Sequence, residues 1–161
     1  MFRLIDSPLG PLRLQASPRG LSRVEFTAAS ILQKEMGGVE EGDVGKRSAD
    51  VLDTAQAQLT EYFAGRRRSF ELPLDPPTTT EFRAAVHAQL AEIGYGETVT
   101  YRDVAKLLGR PGATRAVGSA CGANPLLIVR PCHRVLRSDG GLGGYAGGLE
   151  AKRFLLTLEE H

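Results

Sequence analysis

A proline-rich segment, Leu-Pro-Leu-Asp-Pro-Pro, lies near the middle of the chain at residues 72–77. Proline lacks a backbone N–H group and has a fixed φ angle, so neither a helix nor a central strand can run through this segment. It therefore predicts a stiff linker. We place a domain boundary there, between an N-terminal domain of residues 1–77 and a C-terminal domain of residues 78–161, because a chain of 161 residues is long enough for two small domains.

The N-terminal domain begins with short apolar runs that alternate with turn-forming residues. These runs occupy residues 2–6, 12–16 and 21–26, and Ser, Pro and Gly residues separate them. Such spacing is typical of a small antiparallel meander. Residues 37–45 are rich in Gly and Glu and predict a loop, whereas residues 49–63 carry apolar residues at helical spacing and end near Gly65. The domain is therefore predicted to be α+β, with a small antiparallel sheet plus a helix.

Apolar side chains at helical spacing dominate the C-terminal domain. Residues 80–93 place Phe82, Val86, Leu90 and Ile93 on one helix face. Two shorter helical segments follow at residues 101–108 and 113–122, and Gly-Arg-Pro-Gly lies between them. Two short helices joined by a Gly-containing turn are typical of a helix-turn-helix. The C-terminal domain is therefore predicted to be mainly α, with a helix-turn-helix.

The second helix of this predicted helix-turn-helix consists mostly of small residues. Only Thr114, Arg115 and Ser119 offer polar side chains, whereas a major-groove reader normally projects several long ones toward base edges. A helix with small side chains can lie along a groove and respond to its shape and its phosphates. The same residues also permit tight packing inside the domain, and the helix alone leaves both interpretations open.

The composition excludes several classes of protein. The net charge is only +1, although residues 79–161 hold ten Lys and Arg against eight Asp and Glu, a small excess that suits phosphate contact. Two cysteines are too few for a disulfide framework, and the three histidines do not complete a zinc pattern with them. Residues 1–10 lack the apolar core of a signal peptide, and no apolar run approaches the roughly 20 residues of a membrane span. We therefore expect a cytoplasmic protein with reduced thiols, no bound metal and no membrane partner.

The motif that carries chemistry is Pro-Cys-His-Arg, which contains Cys132 and His133. An apolar, strand-like run at residues 126–129 leads into it. A thiol reacts as its thiolate, and a neighbouring histidine together with the positive charges of Arg130 and Arg134 favours that form. An isolated Cys-His pair is also common as a buried structural pair, so the motif alone leaves both interpretations open.

Further residues around this motif follow the order and spacing of a known family. They are Tyr101, Arg115-Ala116-Val117-Gly118, Asn124-Pro125, Pro131-Cys132-His133-Arg134-Val135, Gly144-Tyr145-Ala146-Gly147-Gly148, Lys152 and Glu159. Over residues 80–159 the chain resembles the O6-alkylguanine-DNA alkyltransferases, and the central pentapeptide carries most of the specificity. The N-terminal domain resembles the family only in its layout of short strands, a helix ending in Tyr-Phe-Ala-Gly, and a Leu-Pro-Leu linker.

The resemblance implies catalytic roles for five residues. Cys132 would accept the alkyl group from guanine O6, and His133 would withdraw the thiol proton through a bound water. Glu159 would orient the histidine ring and stabilise its positive form. Tyr101 would donate a proton or hydrogen bond to guanine N3 as charge develops there. Asn124 would support the geometry around the cysteine by hydrogen bonding.

The resemblance also implies a pocket for the base. Its walls would be the backbones of Val135 and Arg134 together with Tyr145 and Gly147. Six of the nine residues at 140–148 are glycine, which allows a close-fitting loop beside the ligand.

The implied partner is double-stranded DNA that contains alkylated guanine, with O4-alkylthymine as a second candidate substrate. The target nucleotide must be flipped out of the stack to reach a buried cysteine. Arg115 would fill the vacated space, and Thr114, Ala116 and Ser119 would contact the DNA. Because the product is a stable thioether, each molecule would act once and irreversibly. The protein would act as a monomer that requires neither a cofactor nor an obligate protein partner.

Three other functions compete with this interpretation. A damage sensor of the alkyltransferase-like kind replaces the nucleophile, whereas this chain keeps Cys132. A helix-turn-helix regulator would read a DNA sequence, for which the second helix offers few long polar side chains. A cysteine hydrolase would need an oxyanion-hole motif, and none is evident in the sequence. Adjacent Cys132 and His133 are also poorly placed for direct proton transfer.

Overall fold

The computed structural model describes residues 1–27 and 42–160. The chain divides into two compact units, Met1–Pro77 and Thr78–His161. A loop was predicted for residues 37–45. Of these, residues 37–41 lie outside the described residues, and residues 42–45 are helical. No helix in the described part of the chain is long and apolar enough to cross a membrane.

The first unit is a three-stranded antiparallel sheet with one long helix against it. Strands β1 (Phe2–Ile5), β2 (Leu12–Ser17) and β3 (Gly20–Phe26) lie in chain order in the sheet. Buried and half-buried residues alternate along β2, as expected of a strand with one face on a core. Helix α1 (Gly42–Phe63) packs against β2 and buries Leu52, Ala55, Leu59 and Tyr62. The predicted α+β architecture of this part of the chain is confirmed.

Helix α1 begins well before residue 49, where the sequence pattern placed its start. Its first two turns bury only Gly45 and Ser48. Large apolar residues at helical spacing are what reveals a helix in a sequence, and these turns bury none. The early part of α1 therefore left no periodic signal.

The proline-rich segment is paired with the sheet of the first unit. The Leu21 N–H donates to the Pro73 carbonyl at 2.9 Å, and the Asp75 N–H donates to the Leu21 carbonyl at 2.8 Å. A Cβ atom at Gly20 would lie 2.6 Å from the Pro73 carbonyl oxygen, so only glycine permits this approach. The stiff segment thus lies along the edge of β3 up to Asp75.

The described part of the second unit contains four helices, a 3₁₀ turn and two short parallel strands. Its elements are α2 (Glu81–Leu90), β4 (Val99–Thr100), α3 (Tyr101–Leu107), α4 (Thr114–Gly122), the 3₁₀ turn Cys132–Arg134, β5 (Val135–Leu136) and α5 (Leu149–Glu159). Thr80 caps α2, and Thr100 and Asp103 form a capping box at the start of α3. The mainly α prediction is confirmed, although α5 was not predicted.

Helices α3 and α4 form the predicted helix-turn-helix. α4 packs against α2 and α3 and buries Val117, Ala120 and Cys121. His87 of α2 is joined to α4 by a 2.8 Å hydrogen bond between its Nε2 atom and the Ala120 carbonyl. This packing fixes one face of α4 and leaves the opposite face exposed.

The two parallel strands bring the start of α3 beside the cysteine turn. Val99 pairs with Val135, and Thr100 pairs with Leu136. Tyr101 follows directly after β4, and the turn Cys132–Arg134 directly precedes β5. Two segments that are far apart in the sequence are therefore held side by side.

Candidate active site

The loop between α4 and the cysteine is held by the side chain of Asn124. Its Oδ1 atom accepts from the Leu126 N–H at 3.1 Å, and its Nδ2 atom donates to the Arg130 carbonyl at 2.9 Å. Ile128 lies in this loop with a φ of 71°, a left-handed conformation that is costly for a β-branched residue. The surrounding hydrogen bonds therefore hold a strained backbone that delivers the chain to Cys132.

Cys132 lies at the wall of a pocket of about 490 Å³ and is 4% exposed. The residues lining this pocket are Tyr101, Gly118, Cys121, Gly122, Cys132, Gly144, Tyr145 and Ala146. They come from α3, α4, the 3₁₀ turn and the glycine-rich segment before α5. The pocket thus has the size of a small-molecule site and a thiol at its wall.

The thiol is protonated in the resting protein. Burial raises the pKa of Cys132, and the side-chain hydrogen bond with Asn124 and the charge of Lys152 only partly oppose this effect. A buried thiol of this kind needs a base to become a nucleophile.

His133, the next residue in the chain, is a candidate for that base. Its Nε2 atom lies 2.8 Å from Oε2 of Glu159, and both side chains are essentially inaccessible to solvent. Burial lowers the pKa of His133, so the ring is neutral. A neutral ring carries one N–H, and since a carboxylate can only accept, Nε2 donates to Glu159. Nδ1 is then the acceptor nitrogen, and it has no hydrogen-bond partner among the described residues.

Arg134 holds the Glu159 carboxylate from its other side. Its Nε atom donates to Oε1 at 2.7 Å, and its Nη2 atom donates to Oε2 at 3.0 Å. The remaining Nη1 atom donates to the Ile93 carbonyl at 2.6 Å. This fork-shaped ion pair is buried, so the carboxylate that orients His133 is itself fixed in place.

Tyr101 presents a hydroxyl group to the same pocket. Burial, followed by the nearby Cys121 and Cys132, raises the pKa of Tyr101 to about 12, so the phenol keeps its proton and can donate it. The hydroxyl donates to the Gly144 carbonyl over 3.5 Å, which is long for a hydrogen bond and leaves the proton available to a ligand. Gly143 packs so closely on this ring that a Cβ atom would lie 2.6 Å from the Tyr101 oxygen.

Comparison with known proteins identifies the family. Residues 1–76 match the 6-O-methylguanine DNA methyltransferase, ribonuclease-like domain, and residues 81–161 match the 6-O-methylguanine DNA methyltransferase, DNA binding domain. A methylated-DNA–protein-cysteine methyltransferase of Methanosarcina barkeri is 42% identical over 160 residues, which are 99% of this chain and 97% of the relative. The chain belongs to the 6-O-methylguanine DNA methyltransferase family.

Solved structures of 6-O-methylguanine DNA methyltransferase family members share the fold. The crystal structure of Mycobacterium tuberculosis O6-methylguanine methyltransferase superposes with a TM-score of 0.80 at 40% identity, covering 99% of this chain and 92% of that one. A crystal structure of Mycobacterium tuberculosis OGT in complex with DNA superposes with a TM-score of 0.82 at the same identity and coverage.

The structure brings the five residues predicted as catalytic close to one another. Cys132 and Tyr101 line one pocket, His133 is hydrogen-bonded to Glu159, and Asn124 holds the loop that leads to the cysteine. The methyltransferase family resemblance singled out Glu159 although Glu160 is its neighbour. The structure shows that Glu159 is buried against His133, whereas Glu160 is exposed.

The residues predicted to line the base pocket are distributed differently. Of these four predicted residues, Tyr145 lines the pocket. Val135 is buried and offers its carbonyl to Lys152, the Arg134 side chain points to Glu159, and Gly147 follows the lining residue Ala146. Within residues 1–27 and 42–160, no group of three or more His, Cys, Asp or Glu side chains is arranged to hold a metal ion.

The residues predicted to contact DNA share one surface of α4. They are Thr114, Arg115, Ala116 and Ser119, and all four are exposed. The same helix contributes Gly118, Cys121 and Gly122 to the pocket wall, although none of these three was predicted to line it. Their small side chains leave room for a pocket at the edge of the helix.

Lys152 is the polar side chain that sequence reasoning passed over. It belongs to the family-like pattern but received no role, and the structure buries it completely. Its Nζ atom contacts backbone carbonyls around the pocket, including that of Val135 at 2.8 Å. The available signal in the sequence was a lysine close to the apolar residues Ala151 and Leu155.

Proposed function

We propose that this protein reverses alkylation damage in DNA directly, by transferring the alkyl group from O6 of guanine to its own Cys132. The observation that carries the proposal is the buried Cys132 thiol at the wall of a pocket. The next residue, His133, is neutral, and its Nε2 atom is hydrogen-bonded to the buried Glu159 carboxylate. Cys132 is also the nucleophile that the transferase reaction of this family requires.

The reaction is an in-line displacement at saturated carbon. The Cys132 proton passes to Nδ1 of His133 through a bound water, and Glu159 stabilises the imidazolium that forms. The Cys132 sulfur forms a bond to the alkyl carbon while the bond from that carbon to O6 breaks. The electron pair of that bond goes to guanine, and the Tyr101 hydroxyl donates to guanine N3 as the negative charge develops.

The product explains why the reaction happens once. Sulfur then carries an alkyl group in a thioether, and no hydrolytic step releases it. The protein is therefore consumed in proportion to the damage that it repairs. Apart from the water that relays the proton, each group that the transfer uses belongs to this chain or to the substrate. The proposed reaction therefore needs neither a cofactor nor a protein partner, and a monomer suffices.

The DNA interface of this proposal is the exposed face of α4. A buried thiol reaches O6 only after the nucleotide leaves the base stack. Arg115 lies near the start of α4, exposed and without bulky neighbours in sequence, and it enters the space that the flipped nucleotide vacates. The small, exposed face formed by Thr114, Ala116 and Ser119 lets the helix backbone approach phosphates without selecting a sequence. The substrate is double-stranded DNA with alkylated guanine, and O4-alkylthymine is a second candidate. Because the reaction needs a reduced thiol, we place it in the cytoplasm.

Intact-protein mass spectrometry tests this function. The protein is mixed with a duplex that contains one O6-methylguanine, with an unmodified duplex as the control and the Cys132→Ala variant alongside. We expect the wild-type protein to gain the mass of one CH₂ group, on Cys132 and with the modified duplex only. Lesion binding without a mass gain would instead indicate a damage sensor, and no preference for the lesion would indicate a regulator.

A further inference from the structure

Glu159 also lines a second cavity, which is separate from the pocket at Cys132. This cavity has a volume of about 340 Å³, and its walls come from β5, α5 and the segment before β4. The exposed residues Gly96, Glu97 and Glu160 are among its walls, so water has access to it. Glu159 itself is only 4% exposed. The ion pair that Glu159 forms is therefore shielded from water that lies close by.

The segment of residues 93–97 contacts both members of this ion pair. The Nη1 atom of Arg134 donates to the Ile93 carbonyl at 2.6 Å. The Gly96 N–H donates to Oε1 of Glu159 over 3.5 Å, and a Cβ atom at Gly96 would lie 3.0 Å from the Glu159 carbonyl oxygen. The segment thus packs closely on the end of α5, between the cavity and the ion pair.

Tyr95 supplies the side chain of this segment that covers the guanidinium. The Cζ atom of Arg134 lies 5.8 Å from the centroid of the Tyr95 ring, which is within the range of a cation–π contact. The Tyr95 hydroxyl donates to the Leu158 carbonyl over 3.4 Å and so anchors the ring on α5. The ring is half-buried, whereas the Arg134 side chain is only 7% exposed. Because an aromatic face accepts no N–H in the plane of the guanidinium, the ring leaves those donors to Glu159.

We propose that Tyr95 is a positioning residue for alkyl transfer, which shields the buried ion pair from the water of the second cavity and so keeps His133 available as the base. Water at the Glu159 carboxylate would weaken its pairing with Arg134, because charges attract less strongly in a medium of high dielectric constant. This inference rests on the proposed function, because it takes His133 to be the base. The charged and titratable groups around His133 are Glu159 and Lys152 of α5, Arg134 and Cys132 of its own turn, and Tyr145 of the glycine-rich segment.

The pH dependence of alkyl transfer distinguishes shielding from a merely structural role. Burial is the largest cause of the lowered pKa of His133, so admitting water through Tyr95→Leu should raise that pKa toward 6.5. A protonated ring cannot accept the thiol proton. We expect Tyr95→Leu to slow transfer by up to about tenfold at pH 5.5, where a ring of pKa 6.5 is about nine-tenths protonated, and hardly at all at pH 8. Single-turnover rate constants at saturating O6-methylguanine duplex give both profiles.

Two control variants accompany this measurement. Tyr95→Phe keeps the ring and loses only the hydroxyl, so its pH profile should match that of the wild type. Phe63→Leu removes a half-buried ring of α1 that packs on Tyr62, and it should lower stability without moving the profile. A Tyr95→Leu rate constant that is unchanged, or that falls by the same factor at every pH, would overturn the proposal. So would an equal shift of the profile in Phe63→Leu.

NMR reads the shielding without any DNA. In protein with ¹⁵N-labelled histidine, the pKa of His133 should be higher in Tyr95→Leu than in the wild type or Tyr95→Phe, and equal values would overturn the proposal. If Tyr95→Leu does not fold, the wild type still decides, because the Arg134 Nε proton should exchange with water far more slowly than that of exposed Arg153. Equal exchange rates would overturn the proposal. If the wild type fails to methylate Cys132, the proposed function fails, whereas the NMR results would still show the shielding.

Discussion

The Glu159 carboxylate receives hydrogen bonds from two side chains that are adjacent in the sequence. His133 donates from one side, and the Arg134 guanidinium donates two N–H groups from the other. Arg134 balances the charge of Glu159 within the buried site. Burial is the main cause of the lowered pKa of His133, and the positive charge of Arg134 adds to it, so the ring stays neutral with Nδ1 as its acceptor nitrogen. The same carboxylate can then stabilise the imidazolium once the thiol proton has been transferred.

Replacing Glu159 with glutamine should therefore affect both activity and stability. The amide keeps the shape but removes the charge opposite a buried guanidinium, so the free energy of unfolding should fall by about 3 kcal/mol. The alkyl-transfer rate constant should fall by about 100-fold, because the histidine loses the group that makes it an effective base. Denaturant unfolding and single-turnover kinetics measure the two effects.

Glu160→Gln is the matched control for this prediction, because Glu160 is the exposed neighbour of Glu159. It should change neither the stability nor the rate constant measurably. Equal effects of the two substitutions would contradict the assignment of Glu159 as the residue that orients His133.

The glycine-rich segment before α5 forms one wall of the pocket, and its close approach to Tyr101 depends on Gly143. Gly143 has a φ of 72°, and a Cβ atom there would lie 2.6 Å from the Tyr101 oxygen. Gly143→Ala should therefore displace either the segment or the Tyr101 hydroxyl and slow alkyl transfer by about 100-fold, the cost of a small misplacement at a reacting centre. Single-turnover kinetics with the lesion duplex measure it.

The control for Gly143→Ala is Gly65→Ala in the first unit. Gly65 has a φ of 75° but open space around a Cβ atom, so its substitution causes backbone strain without a clash. It should lower the stability slightly and leave the transfer rate constant intact. If Gly143→Ala were as active as Gly65→Ala, the close contact with Tyr101 would not be needed for the reaction.

The exposed face of α4 is the surface that we expect to bind DNA. Ala116→Glu places a negative charge where we expect phosphates, so the affinity for duplex DNA should fall at least tenfold and depend less on salt concentration. Ala57→Glu on an exposed position of α1 is the matched control and should bind normally. Fluorescence anisotropy at two salt concentrations makes the comparison, and normal binding by Ala116→Glu would exclude this face as the interface.

Local sequence patterns predicted the three strands of the first unit and helices α1 to α4 but not β4, β5 or α5, whereas the site depends on contacts between residues far apart in the sequence. The alternation of burial along β2 and the capping threonines of α2 and α3 are local features that can be recognised in the sequence itself. The pairing of Arg134 with Glu159 and the carbonyl ring around Lys152 join residues that are 8 to 25 positions apart, and no local pattern encodes them. Family resemblance pointed to Glu159 and Tyr101, but only the structure gives Arg134 and Lys152 their partners.

The stability of the protein should fall in mild acid. Burial lowers the pKa values of His87 and His133 from their ordinary value of 6.5, so the folded state stays unprotonated at pH values where the unfolded state binds protons. Stability is then fully present above about pH 6.5 and is lost as the pH falls toward the folded-state pKa values, by at most about 1.4 kcal/mol per pH unit for each histidine. Urea unfolding between pH 7 and pH 5 measures the slope.

The His87→Gln variant separates the two histidines in this experiment. It removes one titrating group while keeping a donor for the Ala120 carbonyl, so the slope should be smaller than that of the wild type. An unfolding free energy that does not change between pH 7 and pH 5 would contradict the neutral, buried state assigned to both rings.

If the protein is itself the acceptor and acts once, a titration with damaged DNA should reach a fixed end point. A fixed amount of protein is mixed with increasing amounts of O6-methylguanine duplex, and the repaired guanines are counted after the reaction is complete. We predict that repair stops at one guanine for each protein molecule, with every methyl group on Cys132. Repair that continues beyond one guanine per protein would show that the alkyl group leaves Cys132, and the account of a single irreversible transfer would be wrong.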